Sequence, residues 1–134
     1  MSSNVAPYKA VETYVHLGPN GTAVPLQVTS TFWDELASGA FAKLGPGRLV
    51  STYDFGEDWA TWEKHPAGEE LVILLAGAMD LILSMDGREE SVSLTSPGQY
   101  LIVPRDTWHT ANVPQGAVAL FITAGEGTQH RPRA

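Results

Sequence analysis

Trp59-Ala60-Thr61-Trp62-Glu63-Lys64-His65-Pro66-Ala67-Gly68-Glu69-Glu70-Leu71 decides the fold. Taken as a strand from Ala60 to His65, it places Glu63 and His65, two positions apart, on one face. Pro66-Ala67-Gly68 then reverses the chain. The next strand begins at Glu70 and continues from Leu71 to Leu75, which returns Glu70 beside His65 on the same face and turns Glu69 the other way, to solvent. Two carboxylates and an imidazole thus converge on an interior otherwise lined by aliphatic groups. Leaving them unpaired in a low-dielectric core costs on the order of several kcal/mol, and a divalent cation compensates them directly.

A second segment supplies a further ligand type: Pro97-Gly98-Gln99-Tyr100-Leu101-Ile102-Val103-Pro104-Arg105-Asp106-Thr107-Trp108-His109. Its apolar strand is broken by Pro104 and a tight turn, after which the chain resumes with His109.

Outward from these segments, turn residues punctuate the chain at short intervals, among them Gly18-Pro19-Asn20-Gly21, Gly45-Pro46-Gly47, Pro114-Gln115-Gly116 and Gly125-Glu126-Gly127. The stretches between them are rich in Val, Ile, Leu, Thr, Tyr and Phe, and several alternate in polarity: Val11 to Leu17, Arg48 to Phe55, Glu90 to Leu94 and Thr107 to Val113. The clearest hairpin joins Asp80–Met85 to Arg88–Leu94 through Asp86-Gly87, since Asp-Gly tolerates the positive φ of a type I′ turn. One short helix is expected over Thr31 to Ser38, where Thr31-Phe32-Trp33-Asp34 has the form of a capping box and Gly39 stops it. About eight to ten strands, one helix and no linker or repeat predict an all-β sandwich or barrel. Gln129 to Ala134 is expected to be a loosely held tail.

Composition narrows the function. The 134 residues are 43% hydrophobic and 17% charged, enough for one domain with a real core. Fifteen acidic against eight basic residues give a net charge of −7, with the cations scattered, so a phosphate backbone finds no footprint and nucleic acid is not an expected partner. Met1 to Ala10 lacks the pattern of a secretory leader, and Leu71 to Met79 is too short to span a bilayer, so the expectation is a protein without membrane contact. The absence of Cys excludes disulfides and thiolate ligands and fits a reducing cytoplasm.

The two segments together resemble the paired motifs of the cupin superfamily. The first motif is Gly, five residues, His-x-His, three or four residues, Glu, six residues, Gly; the second is Gly, five residues, Pro-x-Gly, two residues, His, three residues, Asn. His65 falls on the second His of the first motif, Glu70 on its Glu and Gly77 on its closing Gly; Gly98, Pro104 and His109 fall on the second motif. The motifs lie at about 56–77 and 98–113, and the resemblance implies a double-stranded β-helix, or jelly-roll barrel, occupying residues 1–134 as a single domain. It also suggests a homodimer. There are departures: Glu63 stands where the first metal His usually stands, Asp106 replaces the turn Gly, Val113 replaces the Asn with Asn112 adjacent, and Gly56 sits one residue early.

The ligand set implied by the resemblance is therefore Glu63, His65, Glu70 and His109. Two imidazoles with two carboxylates make a hard, anionic site suited to Fe(II), Mn or Zn. The first expectation is a mononuclear metal enzyme, an oxygenase or an isomerase or lyase, acting on a small organic molecule in the barrel, with Val72, Leu74 and Ile102 excluding water. An unligated Glu63, raised in pKa by burial, is the one acid/base candidate. The alternative is a non-catalytic binding or sensing protein, with or without metal, because fold does not imply function. Glu63 as an exposed carboxylate paired with Lys64 or Arg48 is the plain reading of that residue. His16 and His130 are taken as structural or surface groups, and Trp33, Trp59, Trp62 and Trp108 as packing residues before substrate walls. Arg48 and Arg105 are candidate clamps for a substrate carboxylate; Thr61, Thr107, Tyr53 and Tyr100 are candidate supports of the ligands.

Overall fold

The computed structural model describes residues 5–134; Met1 to Asn4, part of the stretch read for a leader, lie outside them. The described residues form β1 (Thr13–Leu17), β2 (Ala23–Gln27), α1 (Phe32–Ala37), β3 (Arg48–Phe55), β4 (Thr61–Lys64), β5 (Glu70–Gly77), β6 (Met79–Met85), β7 (Arg88–Leu94), β8 (Tyr100–Val103), β9 (His109–Asn112), β10 (Ala117–Thr123) and β11 (Gln129–Pro132). They make two antiparallel sheets, one ordered β2-β1-β3-β10-β5-β8 and the other β11-β4-β9-β6-β7. This is the all-β architecture with one short helix that the turn spacing predicts. Among the described residues no helix is long and apolar enough to cross a membrane.

Period-two alternation sets the inner faces. Glu70, Val72 and Leu74 of β5, Met79, Leu81 and Leu83 of β6, and Ala117, Ala119 and Phe121 of β10 are buried. Apart from Glu70 these join Val103, Ala111 and Val113 in one core cluster. Each large side chain so buried contributes about 1.5–3 kcal/mol relative to exposure. Ile102 and Tyr100 instead point outward at 51% and 60% exposure, because β8 pairs Ile102 with Leu71 and Tyr100 with Ile73 on the outer face of β5. Ile102 therefore does not shield the interior, and Leu101 and Val103 take the inward positions of that strand.

The β6–β7 hairpin has the expected turn: Met85 pairs with Arg88 across Asp86 (φ 53°) and Gly87 (φ 77°), both in the left-handed region that type I′ requires. The capping box at Thr31 is not formed. Thr31 has φ −109° and ψ 9°, so its hydroxyl misses the backbone amides and donates to Glu35 Oε2 at 3.2 Å. What holds α1 is Phe32, 1% exposed and edge-on to Tyr14 at 5.3 Å. Beside it Trp33 stacks on Tyr53 with its other face partly in solvent.

The expected tail is a strand. Gln129–Pro132 pairs with β4, which puts His130 opposite Glu63 and Arg131 opposite Trp62. The Arg131 guanidinium lies 4.4 Å from the Trp108 ring centre and 5.5 Å from that of Trp62. A polar sequence without alternation gives no strand signal here, and cation–π contacts with aromatic groups of distant segments fix it instead.

The close of the first motif is a steric requirement. Gly77 has φ +75°, and a Cβ there would run into the Gly116 carbonyl oxygen. Gly87, at φ +77°, has open space around it. Urea unfolding should therefore show Gly77→Ala losing at least about 1 kcal/mol more than Gly87→Ala, whose cost is the conformational term of about 1–2 kcal/mol alone. Equal losses would remove the steric account.

Candidate metal centre

Both sheets contribute to one cluster at the barrel mouth. β4 and the residue after it carry Glu63 and His65, β9 opens with His109 directly opposite Glu63, and β5 of the other sheet opens with Glu70. The turn that replaces Pro-x-Gly lets His109 arrive there. Asp106 takes φ 60°, the conformation a Gly would supply, and its amide donates to the His65 carbonyl at 3.0 Å. The Asp106 carboxylate is 3.6 Å from Lys64 Nζ. An Asx residue is among the few that tolerate this φ, so the departure from the motif leaves the turn intact.

Glu70, 4% exposed, is the centre of the cluster. Its Oε1 is 3.0 Å from His109 Nε2, its Oε2 is 3.2 Å from His65 Nε2, and Thr123 Oγ1 donates to Oε2 at 2.6 Å. Glu63 Oε2 stands 3.9 Å from His65 Nε2, while its Oε1 is 3.2 Å from His130 Nε2. One ligand atom each from Glu63, His65 and His109 lie within 4.8 Å of one another. The structure thus brings together all four residues expected from the sequence and adds His130 at the rim.

The tautomers are set from behind. His109 Nδ1 is 2.9 Å from the Thr107 carbonyl, which can only accept, so that nitrogen carries the proton. His65 Nδ1 is 2.8 Å from Thr128 Oγ1, whose own hydrogen goes to the Gly125 carbonyl at 2.8 Å. Both rings consequently turn an Nε2 lone pair toward Glu70 in the neutral state. His65 Nε2, His109 Nε2 and Glu70 Oε1 are buried without an aligned hydrogen bond. Two lone pairs facing a carboxylate repel unless a cation lies between them or protons are taken up. Ligands about 2.1 Å from one ion stand roughly 3.0 Å apart at right angles and about 4.2 Å apart when opposite. The separations of 3.0, 3.2 and 3.9 Å fall within that range, the first two to different oxygens of Glu70; the three residues whose ligand atoms all lie within 4.8 Å of one another, Glu63, His65 and His109, could hold one divalent ion, with the Glu70 carboxylate against both imidazoles.

Without an ion, protons do the compensating. Burial pushes the Glu70 carboxyl up, but His109 and His65 together outweigh burial and hold it down to about 2. Burial pushes the His109 imidazole down, and Glu70 more than reverses this, leaving it raised. Burial also raises the Tyr53 phenol, with Tyr14, Glu63 and Glu70 adding to the effect, so Tyr53 is a neutral group.

Other expected roles resolve differently. Thr107 supports His109 through its carbonyl, and its hydroxyl donates to the Arg105 carbonyl. Thr61 offers its carbonyl to Thr110 Oγ1, and Tyr100 is on the outer surface. Arg48 lines a groove of about 190 Å3 with Glu69, Glu70, Leu71 and Ile102, a lining that does not include Glu63, and Arg105 is exposed. Lys64 pairs with Asp106, so neither cation proposed for Glu63 meets it; His130 takes that place. Asn112, adjacent to the substituted motif position, accepts from Arg133 at 2.8 Å, and Val113 is a core residue. Trp59 packs 6.1 Å from the His109 ring and Trp62 is buried, while Trp33 is 43% exposed. Sequence reasoning missed Thr123 and Thr128, whose hydroxyls act across 53 and 63 positions and leave no local signal.

The Glu70 shift has a pH consequence for the metal-free protein. A carboxyl depressed from 4.5 to about 2 contributes stability that is complete above pH 4.5 and is lost as pH falls toward 2, a change on the order of 3 kcal/mol. Denaturant midpoints measured in chelator should fall over that window for the native sequence and much less for Glu70→Gln. The raised His109 adds a share that is complete below pH 6.5 and declines as pH rises through its shifted value.

No protein-family model matches the sequence, and no curated protein is similar to it. Solved structures do match in fold. An oxalate oxidase in complex with glycolate is 17% identical at a TM-score of 0.51, the match covering 61% of this chain and 45% of that one. A sugar 3,4-ketoisomerase from Thermoanaerobacterium thermosaccharolyticum is 19% identical at 0.50, covering 56% and 57%. A cupin-2 domain protein from Shewanella frigidimarina is 15% identical at 0.48, covering 64% and 71%. Identities this low speak for architecture alone. With two antiparallel sheets closing on motif residues that meet at the barrel mouth, the chain has the fold that its two motifs imply, shared with the oxalate oxidase and the ketoisomerase.

Proposed function

We propose that the chain is a mononuclear divalent-metal protein, with Glu63, His65, Glu70 and His109 as ligands, and that it is an enzyme for a small organic molecule. The observation that carries this reading is that His65 Nε2, His109 Nε2 and Glu70 Oε1 are buried without a hydrogen-bond partner, where ligand atoms of Glu63, His65 and His109 lie within 4.8 Å of one another. Two neutral imidazoles with carboxylates suit Fe(II), Mn or Zn, and supporting contacts at both Nδ1 atoms are what metal-bound histidines require. Such an ion supplies Lewis acidity toward a substrate oxygen or, as iron, oxygen chemistry.

The chain's own residues define the rest. Val72, Leu74 and Phe121 fill the barrel beneath the cluster, so a substrate approaches from the side of Glu63, whose side chain is 29% exposed against 7% or less for the other three. Glu63 is the ligand reached by solvent and can exchange a role as ligand for one as proton acceptor. Trp59 provides an apolar wall beside His109. A binding or sensing role keeps the same metal site and differs in turnover alone.

Elemental analysis of protein purified without an affinity tag or added metal should find one transition ion per chain. Glu70→Ala and His109→Ala should each lower that content at least tenfold, and Glu63→Ala less, because it is the most solvent-exposed ligand. Chelation should lower the melting temperature of the native protein, since an ion that binds only the folded state stabilises by mass action. Unchanged stoichiometry in the Glu70 and His109 variants would sink the assignment.

A further inference from the structure

The residues after β10 make contact with the metal centre at several points, although nothing in either motif includes them. We infer that Thr128 and His130 are positioning residues of that centre, so that the C-terminal strand is part of the site. This rests on the metal reading above.

Thr128 is tied into a tight turn. Gly127 takes φ +77°, and both the amide and the hydroxyl of Thr128 donate to the Gly125 carbonyl, at 3.1 and 2.8 Å. The turn sits on the one that reverses the chain after His65: a Cβ on Gly127 would lie 3.3 Å from Pro66 Cγ, and one on Gly68 would lie 3.1 Å from Ala124 Cβ. With its hydrogen committed to Gly125, the Thr128 oxygen can only accept from His65 Nδ1, at 2.8 Å. That fixes the proton on Nδ1 and leaves Nε2 free as a ligand. Two residues on, His130 stands opposite Glu63 in the β4–β11 ladder, with Nε2 3.2 Å from Glu63 Oε1. It occupies one carboxylate oxygen from the solvent side and leaves Oε2 turned toward His65.

Removing an acceptor behind a metal-bound imidazole costs about 10–100-fold in affinity. Thr128→Val keeps the shape and removes the acceptor, so its affinity for Co(II), titrated alone by calorimetry into tag-free metal-free protein, should fall by that factor. Thr128→Ser keeps the hydroxyl and should stay within about threefold of the native protein. His130→Ala should weaken cobalt binding severalfold, and His130→Gln, which retains a donor, should restore most of it. A metal-independent readout accompanies these. Long-range 1H–15N spectra of the metal-free native protein should show a proton held on His65 Nδ1, whether or not Nε2 is also protonated against Glu70, and Thr128→Val should populate the form protonated on Nε2 alone. A purely structural role would change the melting temperature of the Val variant without moving the tautomer. Native-like cobalt affinity in Thr128→Val overturns the inference and leaves the metal centre standing. Absence of cobalt binding by the native protein overturns both.

Discussion

A single buried carboxylate organises this molecule. Glu70 belongs to one sheet, and the two imidazoles that face its oxygens at 3.0 and 3.2 Å are carried by the other, so the contact joins the sheets at the barrel mouth. An ionised group 4% exposed cannot remain there uncompensated. Everything around it answers that constraint: Thr123 donates to one oxygen, and carbonyl and hydroxyl acceptors behind each histidine turn the ring nitrogens inward. Compensation is then supplied by protons or by a metal ion. On the proposed metal reading the two would compete at the same nitrogen atoms, so metal uptake would release protons.

The apolar core below and the polar cluster above follow from the same strand geometry. β5 presents Glu70, Val72 and Leu74 inward in succession, so one strand supplies the central carboxylate of the cluster and two core residues without any change of conformation. The core makes the cluster's position rigid, and the cluster's dry floor strengthens every charge interaction within it. The open side of the cluster is the rim, where Glu63 and His130 are, since the interior beneath is filled.

The substitution of Glu63 for a histidine is compatible with the geometry. A carboxylate at this register is opposite both His109 and His130, one on each neighbouring strand, and has one oxygen for the cluster and one for the rim. Asp106 shows the same tolerance at the turn, where an Asx residue takes the left-handed conformation in place of glycine. In both cases the chain departs from the motif's letter while keeping the position of the group or the shape of the backbone.

The sequence by itself determined the strand pattern, the Asp86-Gly87 hairpin and the meeting of Glu63, His65, Glu70 and His109. The strands and the hairpin, and the return of Glu70 beside Glu63 and His65, follow from local spacing, period two along a strand and a turn of known reach; that His109 joins them is implied by the resemblance of the two segments to a paired motif. Tertiary structure alone made Gln129–Pro132 a strand, brought Thr123, Thr128 and His130 against Glu70, His65 and Glu63, and turned Ile102 outward. The first two depend on side chains brought together from more than 50 positions away, for which neither propensity nor alternation leaves a trace. The third depends on register: β8 pairs Ile102 with Leu71, and a shift of one residue would have reversed it. The helix at Phe32 falls between these cases. Its place was legible from Gly39 and the apolar run, but Phe32 packed against Tyr14, rather than a capping box, holds it in place.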